Sequence, residues 1–442
     1  MEMAKMENNE IKNSKLIPRL RFPGFEGEWE EKKLGEVGTF IRGLSYSNTE
    51  VTQDTSTTLV IRSNNILQDG VVDLKDGLQF VAKTPSKEQL LKEGDVVICL
   101  ANGSSNLVGK TATFDGNYTG IATVGAFCGI YRSVMPICKY LVQTSAYKNM
   151  INLIKQGGNG ALANLYGKDI LGLSFSFPSL PEQQKIASCL SELDNLIAAQ
   201  GQKVDALKEK KKGLMQQLFP QPGETTPRLR FPGFEGEWEE RKLGVVFETL
   251  SNSTLSRADL NDKQGKAMYV HYGDVLIKIG QVLDLSKEKL PYITDDSLAI
   301  KACKSILRNG DVIMADTAED ETVGKCTEIK NASETPVVSG LHTIPLRPLI
   351  RFADGFMGYY LNSDAYRKGL LPLMQGVKVT SLSRTAITGT SIKYPLSLSE
   401  QQKIASCLSS LDDLIAAESA KVEALKDHKK GLMQQLFPRP TK

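Results

Sequence analysis

"PRLRFPGFEGEWEE", residues 18–31, returns letter for letter as residues 227–240. The identity runs on to Gly35 and Gly244, broken only by Lys32 against Arg241. Pro and Gly interrupt this stretch around Phe22, Phe25 and Trp29, so it reads as neither helix nor strand. Its residue types suit an aromatic plug at the start of a domain, or a surface that meets a ligand. Two further blocks are also duplicated. EQQKIASCLS recurs at residues 182–191 and 400–409, and KKGLMQQLFP at residues 211–220 and 429–438. The chain is a tandem repeat of two modules.

Residues 36–180 and 245–399 lie between the constant blocks, and their letters differ widely while their rhythm is shared. GDVVICLANGSSNLVGKT, from Gly94, parallels GDVIMADTAEDETVGKC, from Gly310. Short apolar runs such as LVIR, DVVICL and FCGIYR, punctuated by Gly, Asn, Asp and Ser, predict strands and turns. A helix is predicted in each module, near residues 139–155 and 352–371. Each module therefore reads as one β-rich α+β domain whose presented side chains change while its scaffold does not.

Residues 182–219 contain no proline and carry a 4-3 apolar spacing. The seam runs through Ile186, Leu190, Leu193, Ile197, Val204, Leu207, Leu214 and Leu218. Its copy runs through Ile404, Leu408, Leu411, Ile415, Val422, Leu425, Leu432 and Leu436. Polar residues interrupt both at the same two places, Gln200 and Lys211 in one and Glu418 and Lys429 in the other. Such spacing predicts a coiled coil. Thirty-eight helical residues would extend about 57 Å. One helix cannot bury its own stripe, so the two copies should pair, antiparallel if a two-fold axis relates the modules. The second copy of the opening motif follows the first helix through residues 221–226, so by symmetry Pro18 should lie near Pro438.

The expected fold is thus α+β: two β-rich globular domains joined by two long antiparallel coiled-coil helices, a pseudo-two-fold tandem repeat. The expected boundaries are a polar tail 1–17, a first domain 18–180, helix 181–220, linker and second domain 221–399, helix 400–438 and tail 439–442.

The 54 basic and 51 acidic residues leave a net charge of +3, which neither requires nor opposes a nucleic-acid partner. Seven cysteines form no CxxC pair, and only three histidines occur, so reduced thiols in a cytoplasmic protein are expected and a metal site is not. No apolar run is long enough to cross a bilayer, and the first residues lack the apolar core of a signal peptide. Catalytic signatures fail too. Gly103 and Gly109-Lys110-Thr111 enclose five residues where a phosphate loop needs four, and the second module has Glu319 and Asp320 upstream of Gly324-Lys325. Asp316, Glu319, Asp320 and Glu321 read as a solvated acidic loop. No catalytic constellation emerges, so binding rather than catalysis is expected, and no catalytic or metal-ligating residue is assigned.

The order of these parts resembles the specificity subunit of Type I restriction-modification systems. The resemblance rests on Phe-Pro-Gly-Phe-x-Gly-x-Trp, then four residues and Leu-Gly, at residues 22–35 and 231–244. It rests equally on the proline-led run into Glu-Gln-Gln-Lys-Ile-Ala at residues 177–187 and 394–405. It implies a non-catalytic subunit with two target recognition domains, each reading one half of a gapped, asymmetric site in double-stranded DNA. The helices would set the gap. Two methyltransferase subunits binding S-adenosylmethionine, and through them two ATP- and Mg-dependent restriction subunits, would be its partners, with no cofactor on this chain. A self-contained methyltransferase or nuclease, and a protein-only scaffold, are the alternatives.

Phosphates call for Lys and Arg, and base edges for Arg, Asn, Gln, Ser and Thr on loops. In the first module those types fall at Arg42, Arg62, Asn64, Asn65, Lys83, Asn102, Ser104, Ser105, Lys110, Asn159, Asn164 and Lys168. In the second the candidates are Arg257, His271, Tyr272, Lys278, Lys325, Lys378, Thr380, Ser383 and Arg384. Tyr166 and Tyr272 are candidates for stacking on a base, or are half-buried strand residues.

Overall fold

In the computed structural model, the residues described are 17–156, 164–332, 334–376 and 379–438. The chain divides into two compact units, residues 1–201 with 420–442 and residues 202–419. The two repeated blocks form helices α1 (Leu180–Leu218) and α2 (Leu398–Leu436). The first unit thus takes the start of α1 and the end of α2, and the second takes the end of α1 and the start of α2.

Within each unit the two helical segments run antiparallel. In the first, Ile186 and Leu190 share a core with Met433, Leu436 and Phe437. In the second, Leu218 and Phe219 share one with Ile404 and Leu408. All the predicted apolar seam residues are buried or half-buried. Three of the four polar interruptions have partners inside their own units. Lys429 Nζ lies 2.5 Å from Asp194, and Lys211 Nζ 2.5 Å from Asp412. Glu418, 4% exposed, accepts from Lys203 at 2.8 Å.

The remainder of each unit is built around two sheets of short, largely buried strands, and the second unit keeps the strand order of the first with one strand added at an edge. In the first unit one sheet runs 38–42, 128–133, 96–99, 111–113, and the other 51–52, 79–81, 58–61, 122–124. In the second unit the corresponding orders are 247–249, 343–348, 312–315, 326–330, 282–284 and 260–261, 292–293, 268–270, 337–339. The strands Thr58–Ile61 and Ala122–Val124 pair in parallel, as do Met268–Val270 and Val337–Ser339. Every other pairing inside these sheets is antiparallel except Val282–Asp284 with Cys326–Lys330.

The fourteen-residue motif is a plug. Trp29 and Trp238 are buried and meet Phe437 and Phe219 edge-on, with ring centroids 6.5 and 6.4 Å apart. Arg21 grips buried Glu182 through two hydrogen bonds of 2.7 and 2.8 Å while donating to the carbonyls of Glu26 and Gly27. Arg230 repeats this with Glu400, Glu235 and Gly236. Gln183 and Gln401, the next residues of the helix motif, donate to the carbonyls of Pro178 and Pro395. The neighbourhood expected around Pro18 and Pro438 holds, since the Leu20 amide donates to Gln435 O at 3.0 Å. The end of the motif does form strand, however. Glu30–Lys33 pairs with Ser174–Phe177, and Glu239–Lys242 with Ser391–Tyr394.

The predicted domain helices are broken. The first becomes Cys138–Leu141 and Ser145–Gln156, and the second Phe356–Leu361 and Asp364–Arg367. A hydroxyl makes each break. Thr144 Oγ1 donates to Leu141 O, and Ser363 Oγ donates to Tyr360 O, offering the carbonyl a partner other than the next helical amide. Phe356–Leu361 is further anchored by Glu328, whose carboxylate accepts from the amides of Gly355 (2.6 Å) and Gly358 (2.9 Å). Gly355 holds φ +84°, a conformation that a side chain would strain.

Burial pushes the Glu328 carboxyl up to about 7, against the opposing pull of these amides. A folded value above the ordinary 4.5 means that the folded state binds the proton more tightly. This contribution to stability is complete below about pH 4.5 and disappears as pH rises through about 7. Hydrogen exchange at the Gly355 and Gly358 amides should therefore quicken, relative to intrinsic rates, from about pH 5 to about pH 7.5. In Glu328→Gln the pH trend should vanish, with a uniform loss of about 1–3 kcal/mol because an amide NH2 faces a backbone donor. An unchanged trend in that variant would contradict the assignment.

Candidate nucleic-acid interface

In both units the strand ends of the two sheets meet along one rim, and backbone hydrogen bonds stitch its loops together. In the first unit Leu44 N donates to Val124 O (2.7 Å), Gly125 N to Ile61 O (2.9 Å) and Leu100 N to Phe127 O (2.8 Å). Leu165 N then donates to Leu100 O at 2.9 Å. The second unit repeats the set: Ser253 N to Ser339 O, Gly340 N to Val270 O, Asp316 N to His342 O and Leu382 N to Asp316 O. Gly43 is required at this crossing, because a Cβ there would collide with the Gly125 carbonyl.

The first rim gathers many of the residues singled out from sequence. Asn102 donates to Ser63 Oγ at 2.9 Å, which joins the loop bearing Ser104 and Ser105 to the turn bearing Arg62 and Asn64. Both serines and Asn64 are accessible beside this bond, neither serine being buried. Arg62 and Asn64 donate to the Gly77 carbonyl, so one short turn orients both. Asn65 is buried and structural: its oxygen accepts the Arg62 amide and its nitrogen donates to Asp76 O. Asn164 is exposed just before Leu165, and Tyr166 just after it, with the Lys168 ammonium 5.9 Å from the Tyr166 ring centroid. Arg42 ends the strand that leads into Gly43. Lys83 faces Glu50 at 3.8 Å, and Lys110 is half-buried at the end of the Ser104–Ser105 loop, its amide donating to Leu107 O. Asn159 falls outside the described residues.

The second rim is ring-rich. Tyr272 lies between His271 (centroids 4.7 Å apart) and His342 (5.3 Å). His271 Nδ1 accepts the Gly273 amide at 3.0 Å, which leaves Nε2 as the donor in the neutral ring. Burial first, and then the nearby Arg257 charge, hold His271 below the usual imidazole range. Arg257 lies 2.8 Å from Asp274, which Lys278 also approaches at 3.5 Å. His342 adopts φ 57°, uncommon for a non-glycine residue, and its Nδ1 lies 3.3 Å from Thr317 Oγ1 and 3.6 Å from Asp316. Arg384 donates to Asn252 Oδ1 at 2.7 Å, and Asn252 to Gly340 O. Ser383 caps the helix Arg384–Thr388, and Thr380 sits in a two-stranded ribbon with Ala318. Lys325 is turned away, its ammonium donating to Leu276 O at 2.6 Å. Lys378 falls outside the described residues.

Phe127, Asn252, Asp316, Thr317 and His342 belong to these rims but carry no mark in the sequence as DNA contacts. Aligning the strands ATV and VVS of the two modules, with the GAF and GLH that follow, would mark the turns between the sheets. Among the described residues no group of three His, Cys, Asp or Glu is placed to hold a metal ion. No helix among them is long and apolar enough to cross a membrane.

Arginine, asparagine, serine and imidazole groups held on backbone-fixed loops form the donor and acceptor set that phosphates and base edges require. The family model for the Type I restriction modification DNA specificity domain matches residues 26–209 and again residues 235–427. The chain belongs to this family. It is 23% identical to the Type I restriction enzyme MjaVIII specificity subunit of Methanocaldococcus jannaschii, over 96% of this chain and 95% of that one. It is 30% identical to the StySPI specificity subunit of Salmonella potsdam, over 53% and 52% of the two chains. The fold is shared with the Type I S subunit from M. genitalium (TM-score 0.53, 14% identity, 96% and 100% covered). It is shared also with a chain from a structural study of Type I complex assembly (TM-score 0.51, 17% identity, 94% and 97% covered). This specificity subunit is the sequence-selecting, non-catalytic component of a restriction-modification complex.

Arg257→Ala should raise the His271 pKa, because it removes a neighbouring cation and frees Asp274 to favour the imidazolium. Titration of the His271 ring protons by NMR measures this directly, and an unchanged or lower value would refute the electrostatic reading of the rim.

Proposed function

We propose that each recognition domain reads one half of a bipartite, gapped and asymmetric site in double-stranded DNA, using the rim of its own two sheets. The observation that carries this reading is the pair of rims, which share one backbone scaffold and differ in side chains. Direct readout demands such an arrangement, since a new base sequence needs new donors and acceptors on the same frame. Arg42, Arg62, Asn64, Asn102, Ser104, Ser105, Asn164 and Lys168 are the contacts proposed for the first half. Arg257, His271, Tyr272, Lys278, Ser383 and Arg384 are those proposed for the second.

The α1 and α2 pair acts in this reading as an antiparallel ruler that sets the gap. The repeated plugs and helix ends dock two methyltransferase subunits, because identical partners need identical surfaces. Those subunits supply the S-adenosylmethionine site, and through them two restriction subunits bring ATP and Mg; this chain supplies position only. Extrusion of the target base falls to the methyltransferase, where that base must arrive.

Exchanging residues 36–180 for the matching segment of a relative should change one half of the methylated sequence and leave the other intact. Genome-wide methylation mapping reads the outcome, and an unchanged sequence would overturn the assignment. Deleting one heptad from both α1 and α2 should shorten the gap while conserving both half-sites. A gap of unchanged length would remove the ruler.

A further inference from the structure

The tip of the turn that carries the chain from one sheet to the other is built alike in both units and carries different chemistry. Phe127 holds the place in the first unit and His342 in the second, because the carbonyl of each accepts the equivalent amide, Leu100 N or Asp316 N. Phe127 O also accepts from Ala101 N at 3.2 Å, so the tip is fixed by two hydrogen bonds. Its side chain is nevertheless 71% exposed. A second exposed aromatic, Tyr166 at 59%, follows Leu165, which bonds to the other side of Leu100. Isolated exposed apolar residues are ordinary on protein surfaces. Two exposed aromatic residues whose backbones are tied at or next to one fixed position, Leu100, two residues before Asn102, are a different matter.

We propose that the tip of this turn is a specificity-determining position, and that Phe127 reads a thymine in its half-site through the 5-methyl group. The inference rests on the DNA-reading role given above. The base edges of the major groove offer one apolar feature, the thymine methyl, and a phenylalanine contact matches it. The Phe127 carbonyl is bonded at Leu100 and Ala101, next to Asn102, so in this proposal its exposed ring meets the same base edges as that loop. In the second unit the tip offers an imidazole instead, with Nδ1 facing Thr317 and Asp316. That unit therefore reads a hydrogen-bonding edge at the matching place and ignores the methyl.

The test uses the chain assembled with its methyltransferase partners. Methylation mapping should show that Phe127→Ala relaxes one A·T pair in the half-site moved by exchanging residues 36–180, whereas Phe127→Leu retains it. His342→Ala should relax a position in the other half-site only. On the mapped duplex, replacing that thymine with uracil should weaken binding of the unaltered complex about fourfold, the value of one methyl-sized apolar contact. It should not affect Phe127→Ala. A relaxed pair that proves to be G·C, an unchanged sequence in Phe127→Ala, or equal uracil effects in both proteins would overturn the proposal. If Phe127→Ala yields no methylation, the unaltered complex decides: indifference to uracil at every thymine of that half-site overturns the proposal. Exchange of residues 36–180 separates the two levels, because a half-site that moves with the segment preserves the DNA-reading role even when Phe127 fails.

Discussion

A lysine ammonium held between two helices, buried at Lys211 and half-buried at Lys429, is the constraint on which each unit is assembled. Lys429 and Lys211 occupy seam positions where an apolar residue would pack without directional demand. Each is instead matched to an aspartate of the facing helix, Asp194 or Asp412, at 2.5 Å. A buried cation without a partner costs far more than a missing methyl, so the helices accept the one register that brings the carboxylate to it. The aspartate then reaches the recognition domain. Tyr140 donates to Asp194 at 3.2 Å, and Tyr359 donates to Asp412 at 2.7 Å. Helix, opposing helix and sheet domain thus converge on one polar node per unit, and burial drives both tyrosine hydroxyls well above their usual range.

The aromatic plug works from the other end of the same segment. Arg21 and Arg230 are bidentate to the first acid of each helix and also hold the turn of their own motif. The helix start therefore cannot shift without opening the plug. Node and plug lie about three helical turns apart along α1, from Glu182 to Asp194. Two fixed points on a rigid rod define an orientation, which a single contact would leave free.

These features are legible in the letters to different degrees, for physical reasons. The seam is plain because burial imposes a period that few other constraints produce, and the polar interruptions mark the nodes. The plug is ambiguous in sequence: an aromatic and glycine-rich stretch serves a plug or a binding surface equally, and only the burial of Trp29 and Trp238 decides between them. The domain helices read too long because Thr144 and Ser363 are unexceptional in sequence; they break a helix only where their hydroxyls find a carbonyl. Lys325 and Asn65 look available and are not, since backbone groups hold both: the Leu276 carbonyl holds Lys325, and the Arg62 amide and Asp76 carbonyl hold Asn65. Phe127 and His342 escape notice because neither residue type marks a base contact by itself, and only alignment of ATV-GAF with VVS-GLH pairs the two positions.

The rims show why such a domain tolerates exchange of its readers. Leu100, Phe127 and Leu165 are tied together by main-chain groups, as are Asp316, His342 and Leu382. None of these bonds depends on which side chain stands at the tip. Substitutions at exposed positions of this kind usually change stability by no more than about 0.5 kcal/mol. The frame therefore stays folded while the chemistry offered to the duplex passes from a phenyl ring to an imidazole. The limit is reached where a reader also supports the frame. Arg62, bound to the Gly77 carbonyl, and Arg257, bound to Asp274, orient their own turns. Replacing either alters what is presented and how it is held together, so new specificity is most accessible at the tips and least accessible at these arginines.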